Sequence, residues 1–142
     1  MGQPKHILVV DDDGDVREVI VALLEENNFR VSSAASGSLM RDFLQTADPV
    51  DCVVLDALMP GEAGISLVLY LKEVGLPVVV ISGSPEAMER AVEDDLQLLR
   101  KPFRAKELYD AINVTLSGGS SDGETSDRPG KTSKWVLGST SR

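Results

Sequence analysis

The sequence predicts an α/β fold, one domain on a five-stranded parallel sheet with helices on both faces. Three observations predict it. Short runs of wholly apolar residues recur along the chain, stretches of helical spacing separate them, and acidic or polar residues stand where the runs stop. Continuous apolar runs, as opposed to alternating ones, belong to strands covered on both faces, which is the habit of parallel sheets. Strands alternating with helices then imply βαβ units joined by right-handed crossovers.

Each element has its own signal. Strand β1 is predicted over 7–10, where Ile7-Leu8-Val9-Val10 stops abruptly at Asp11-Asp12-Asp13. Helix α1 follows, with Val16, Val19, Ile20, Leu23 and Leu24 marking one face and Asp13 or Asp15 as its N-cap. A weaker strand β2 covers 30–34, and α2 carries Leu39, Met40, Phe43 and Leu44. Strand β3 is predicted over 51–55, and α3 is marked by Ile65, Val68, Leu69 and Leu71. Strand β4 covers 77–81; α4 begins at Pro85-Glu86, where proline suits a first helical turn. Strand β5 covers 96–99, and α5 carries Leu108, Ala111, Ile112 and Leu116. From Ser117 the composition changes. Ser-Gly-Gly-Ser-Ser-Asp-Gly-Glu-Thr-Ser holds nothing able to join a core, so 117–142 reads as a flexible tail or linker stub. No internal repeat is present.

Composition narrows the function. A chain of 142 residues buries a core without disulfides or a metal staple, and 26% charged with 42% hydrophobic residues is ordinary for a globular domain. Cys52 is the single cysteine, so no internal bridge and no thiol metal site can form, which suits a reducing cytoplasm. No secretory signal pattern opens the chain, and no apolar run approaches the roughly 18 residues of a membrane span. A soluble cytoplasmic protein is expected. The net charge of −9, with Lys and Arg scattered, offers no stripe for direct nucleic-acid binding.

The chemistry lies at the strand ends. Asp11 and Asp12 close the first strand, Asp56 the third, Ser82 the fourth and Lys101 the fifth. In a parallel sheet these ends share one edge, where open α/β folds bind ligands at a switch in strand order. With the order 2-1-3-4-5, β1 and β3 are neighbours and three carboxylates converge beside one hydroxyl and one ammonium. Such a cluster repels itself unless a hard cation joins it; Mg²⁺ takes one or two carboxylates and keeps waters and phosphate oxygens. Phosphoryl transfer needs this positioning and charge neutralisation more than acid–base machinery. Asp56 would be the nucleophile, with Lys101 and Ser82 facing the phosphoryl oxygens. Singly, each residue has a plainer explanation as a cap, a turn or a loop residue. Five of them closing one site at one edge make that joint explanation poor.

Ile7-Leu8-Val9-Val10-Asp11-Asp12-Asp13, then Val53-Val54-Leu55-Asp56-Ala57-Leu58-Met59-Pro60-Gly61 with Gly64, Val79-Val80-Ile81-Ser82-Gly83 and Lys101-Pro102-Phe103 closely resemble the receiver domains of two-component response regulators. The resemblance covers 5–116 and implies a flavodoxin-like, doubly wound fold. It implies that Asp56 is the phosphoacceptor and that Asp11 and Asp12 hold Mg²⁺ (or Mn²⁺) with it. The backbone carbonyl of Leu58 would be a further ligand. Lys101 would pair with the phosphoryl group, and Ser82 would be the switch hydroxyl. A histidine kinase or histidine phosphotransfer protein would be the donor, and a downstream protein would bind the α4-β5-α5 face. Such a domain is a regulatory phosphoacceptor and no metabolic enzyme, although it assists its own phosphorylation and dephosphorylation. His6, ahead of the first strand, reads as a surface residue. Two departures fall on the output face: Leu98 stands where the family usually carries Tyr or Phe, and 93–97 lacks the usual small Gly-Ala connection, which predicts a shortened α4 or loop.

Three rivals stay in view. A haloacid-dehalogenase-type phosphatase would use Asp11 and Asp13 with Ser82, Lys101 and Asp94-Asp95, but it leaves Asp56 without a role. A pseudo-receiver would bind partners without phosphorylation. An EF-hand loop starting at Asp11 fails, because its sixth position is Val16 and its twelfth Ala22, where Gly and Glu are required. Cys52 and Met59 read as packing residues, and Trp135 is a lone aromatic in a polar tail.

Overall fold

A computed structural model describes residues 3–57, 59, 64–83 and 97–118. The expected α4, Leu58, Leu96, Asp94-Asp95 and the tail with Trp135 lie outside the described residues. Five parallel strands form one sheet in the order β2-β1-β3-β4-β5. They are β1 (His6–Val10), β2 (Arg30–Ala34), β3 (Cys52–Asp56), β4 (Val78–Ser82) and β5 (Gln97–Arg100). Strands three, four and five end one residue later than their runs suggest, which makes Asp56 the last residue of β3 and Ser82 the last of β4.

Alternate residues of each central strand feed two separate cores, so both faces of the sheet are apolar. Leu8, Val10, Val53, Leu55, Val80 and Leu98 pack with Met40 of α2 (Gly37–Leu44) and Leu67, Val68 and Leu71 of α3 (Gly64–Glu73). Ile7, Val9, Val54, Ile81 and Leu99 pack with Ile20 and Leu24 of α1 (Gly14–Glu26) and Leu108 and Ile112 of α5 (Ala105–Gly118). The buried helix stripes are narrower than sequence spacing implies. Val19, Leu39, Ile65 and Leu69 are exposed. A helix resting on a sheet touches it along only part of its circumference, so the buried stripe narrows to residues such as Ile20 and Leu24 of α1 and Leu67 and Leu71 of α3.

Local signals set the helix starts. Asp13 is the N-cap of α1, its Oδ1 accepting from the amides of Asp15 at 3.0 Å and Val16 at 3.2 Å. Ser36 caps α2 by accepting from Leu39 N at 3.1 Å. Position 64, the first of α3, takes glycine because a Cβ there would come within 2.5 Å of the Ala57 carbonyl oxygen. That close approach seats α3 against the turn that follows Asp56.

His6 corrects a sequence expectation. It is the first residue of β1 and is buried. Its Nδ1 lies 2.7 Å from the Pro49 carbonyl oxygen and 3.1 Å from Arg30 Nη1, and its Nε2 lies 2.8 Å from the Ser32 hydroxyl. Asp51, just before β3, accepts from the His6 amide at 2.8 Å, and Arg30 pairs with Asp48 at 2.6 Å beside the ring. A polar residue at the head of an apolar run looks like surface in sequence. Here the edge strand β2 and the segment leading to β3 close over it.

Candidate functional site

The opposite end of the same strands carries the expected cluster. Asp11 follows the last residue of β1 and is 1% exposed. Its amide donates to the Ala34 carbonyl at 3.2 Å, and its Oδ1 accepts from Asp13 N at 2.9 Å. Its Oδ2 is buried and has no hydrogen-bond partner. Asp56 is 6% exposed and lies beside Ile81 in the β3–β4 ladder, which puts Ser82, 1% exposed, one residue beyond it at the end of β4. Lys101, directly after β5, reaches back so that its Nζ stands 3.7 Å from Asp56 Oδ1. The Lys101 amide donates to the Ser82 carbonyl at 2.9 Å, which ties the two loops together.

Asp11, the exposed Asp12 and Asp56 each bring one carboxylate oxygen to within 4.8 Å of the others. At that separation two unit charges repel by roughly 3 kcal/mol at an effective dielectric of about 20. The Lys101 ammonium offsets about one such pair. Three carboxylates against one ammonium leave a formal −2 in a largely buried place. A buried carboxylate oxygen with no partner is the kind of group that stable folds avoid. A divalent cation with oxygen preference satisfies it and matches the missing charge. The donor set fits Mg²⁺.

Most of the expected site residues are therefore brought together. Asp11, Asp12, Asp56, Ser82 and Lys101 meet at the carboxyl edge, while Leu58 lies outside the described residues. Leu98 is 3% exposed, opposite Val80 in the β4–β5 ladder and packed in the core. Asp13 is not in the cluster. It faces solvent with its Oδ1 spent on the cap of α1, which removes a residue the phosphatase alternative requires. Cys52, at the amino end of β3, is buried, and desolvation, with a smaller push from Asp51, raises its thiol to about 12. It is a packing residue. Sequence reasoning passed over Arg17, whose Nη1 donates to the Asp11 carbonyl at 2.7 Å. The available signal was a basic residue early in a helix that directly follows three aspartates.

The family sequence model described as the response regulator receiver domain matches residues 7–113. The chain belongs to this family. Among relatives of this receiver domain, Protein PetR of Rhodobacter capsulatus is 35% identical over 119 residues, covering 80% of this chain and 49% of PetR. The chain spans about half the length of the first curated relatives it matches. A solved receiver domain from Clostridium thermocellum superposes with a TM-score of 0.74 at 27% identity, covering 82% of this chain and 97% of that one. The response regulator TrrA of Thermotoga maritima, solved in complex with Mg²⁺-BeF, has a TM-score of 0.71 at 23% identity, covering 79% of this chain and 99% of that one. No helix among the described residues is long and apolar enough to cross a membrane.

Proposed function

We propose that this receiver domain is a divalent-cation-dependent switch in which Asp56 accepts a phosphoryl group from a histidine kinase or histidine phosphotransfer protein. The observation that carries this reading is the convergence of Asp11, Asp12 and Asp56 within 4.8 Å, with one buried oxygen unpartnered. Asp11, Asp12 and Asp56 would hold the cation, Mg²⁺ or Mn²⁺, with the Leu58 backbone carbonyl as a further ligand. The response regulator TrrA, which shares this fold, was solved in complex with Mg²⁺-BeF, in keeping with a cation-dependent reading.

Each residue has a distinct task. An oxygen of Asp56 attacks phosphorus; the P–O bond forms as the P–N bond of the donor's phosphohistidine breaks, and the imidazole nitrogen leaves with the electron pair. A bound Mg²⁺ supplies neutralisation of charge on the phosphoryl oxygens. The Lys101 ammonium, already 3.7 Å from Asp56, moves its pairing to the added phosphoryl group. The Ser82 hydroxyl donates a hydrogen bond to one of its oxygens. Water attack on phosphorus later breaks the bond to the Asp56 oxygen, returning the carboxylate and releasing inorganic phosphate, so turnover resets a signal and makes no metabolite.

Partner binding is read as falling on the α4-β5-α5 face. There the buried Leu98 has no ring or hydroxyl to present in a second orientation. Coupling to that face should be muted. With beryllofluoride as phosphoryl mimic, amide shifts over 86–108 should be small beside those near Asp11, Asp56 and Ser82, and Leu98→Tyr should enlarge them. Large shifts across 86–108 in the wild type would sink this.

The central test is chemical. With Mg²⁺ and acetyl phosphate, intact-mass spectra should show one added phosphoryl group, and Asp56→Asn should show none. Label on Asp11, Asp12 or a tail serine in that variant overturns the assignment. Hydrolysis of small phosphate esters that survives Asp56→Asn but not Asp11→Asn would restore the phosphatase reading. Partner binding with no labelling at all would make the chain a pseudo-receiver.

A further inference from the structure

Among the described residues, Asp11 is held by three hydrogen bonds, one of which comes from outside its immediate turn and the neighbouring strand. Its amide is tied to Ala34 of β2 and its Oδ1 to the Asp13 amide. Its carbonyl accepts from Arg17 Nη1 at 2.7 Å, across six residues. That carbonyl belongs to the peptide plane joining Asp11 to Asp12. Because the peptide is rigid, anchoring its oxygen sets the direction in which both acidic residues leave the backbone.

Arg17 stands in an electrostatically poor place for the helix it belongs to. Its amide makes an early α1 hydrogen bond, to the Asp13 carbonyl at 2.9 Å, so it lies at the positive end of the macrodipole. A cation there is disfavoured by the helix. What recompenses it is on the other side: a carbonyl acceptor, and the net negative cluster of Asp11, Asp12 and Asp56 beyond it. The placement makes sense as service to the turn that carries the acidic pair, and none as service to the helix.

We propose that Arg17 is a positioning residue for the cation site, acting through the Asp11 carbonyl to hold the Asp11–Asp12 peptide in its binding orientation. This rests on the cation reading above. It differs from a simple charge effect in sign. If the guanidinium acted only as a nearby positive charge it would compete with the incoming cation, and removing it would tighten binding. If it acts as an anchor, removing the donor weakens binding, because groups that orient metal ligands change metal affinity by about 10–100-fold when lost.

The experiment is calorimetric titration of the full chain with MgCl₂ alone, for wild type, Arg17→Met and Arg17→Lys. Methionine keeps the aliphatic stem and has no donor; lysine keeps a charged donor of similar reach. Arg17→Met should weaken Mg²⁺ binding by about tenfold, while its metal-free melting temperature stays within the range of an ordinary surface substitution. Arg17→Lys should remain within about threefold of wild type, well short of the loss expected for a missing orienting group. Binding by Arg17→Met that equals or exceeds wild type overturns the proposal, as does a lysine variant as weak as the methionine one. A methionine variant that melts far below wild type without metal makes Arg17 a structural residue and overturns it too. A wild type that does not bind Mg²⁺ removes the cation reading itself, a distinguishable failure.

Discussion

The two ends of the sheet bury polar groups in opposite ways. At the amino end, both His6 ring nitrogens have partners, its amide is taken by Asp51, and Arg30 pairs with Asp48 alongside. At the carboxyl end, three carboxylates crowd within 4.8 Å, with one ammonium at 3.7 Å and one buried oxygen left without a hydrogen bond. The first arrangement is complete and only holds the strands in place. The second is incomplete and waits for charge and donors from elsewhere. Burial of a polar residue is therefore no sign of function in this fold. The deficit is.

The sharpest way to break the comparison is to exchange the expected losses. Asp56→Asn should lose phosphoryl uptake from acetyl phosphate entirely while melting no lower than wild type. If the variant unfolds, the carboxyl end is structural after all. His6→Phe should do the reverse. It leaves the Pro49 carbonyl and the half-buried Ser32 hydroxyl without their partner, which should destabilise by about 1 kcal/mol in denaturant unfolding, with phosphorylation retained in the folded fraction. A stable His6→Phe that no longer accepts a phosphoryl group would show that the two ends are coupled.

A smaller effect tests the sign of the deficit. Asp12→Ala should weaken stabilisation by millimolar Mg²⁺, yet raise the metal-free stability by up to about 1 kcal/mol. This is only a fraction of the roughly 3 kcal/mol pair repulsion, because Asp12 is exposed and solvent screens it. A fall in metal-free stability would mean that the cluster is not self-repelling. The faintest effect belongs to the closed end. The Arg30 hydrogen bond holds the Asp48 carboxyl below the ordinary 3.8, against a smaller opposing push from desolvation. A lowered carboxylate contributes stability that is full above its unfolded value and disappears as pH falls through the folded one. Asp48→Asn should therefore match wild type in melting only in strong acid, with a slight deficit at neutral pH. A deficit that grows as pH falls would reverse that sign.

Much of this molecule was legible before folding. The largely apolar runs at 7–10, 51–55 and 77–81 specify strands buried on both faces because apolar continuity is a local property, whereas the order 2-1-3-4-5 was an expectation carried by the family resemblance and is what the sheet shows. Asp11, Asp56, Ser82 and Lys101 were legible for a related reason: each breaks the apolar pattern at the end of a strand, and parallel strands bring such ends to one edge. Tertiary structure alone decided the rest. Of three consecutive aspartates, Asp11 points inward, Asp12 stands exposed at the cluster and Asp13 turns outward to cap α1, because where the helix begins sets the direction of each side chain. His6 became interior only because β2 and the segment before β3 close over it. Arg17 reached Asp11 only because α1 folds back against the end of β1. Pattern along the chain determines which groups lie at an edge, but the partners each one finds depend on neighbours far away in sequence.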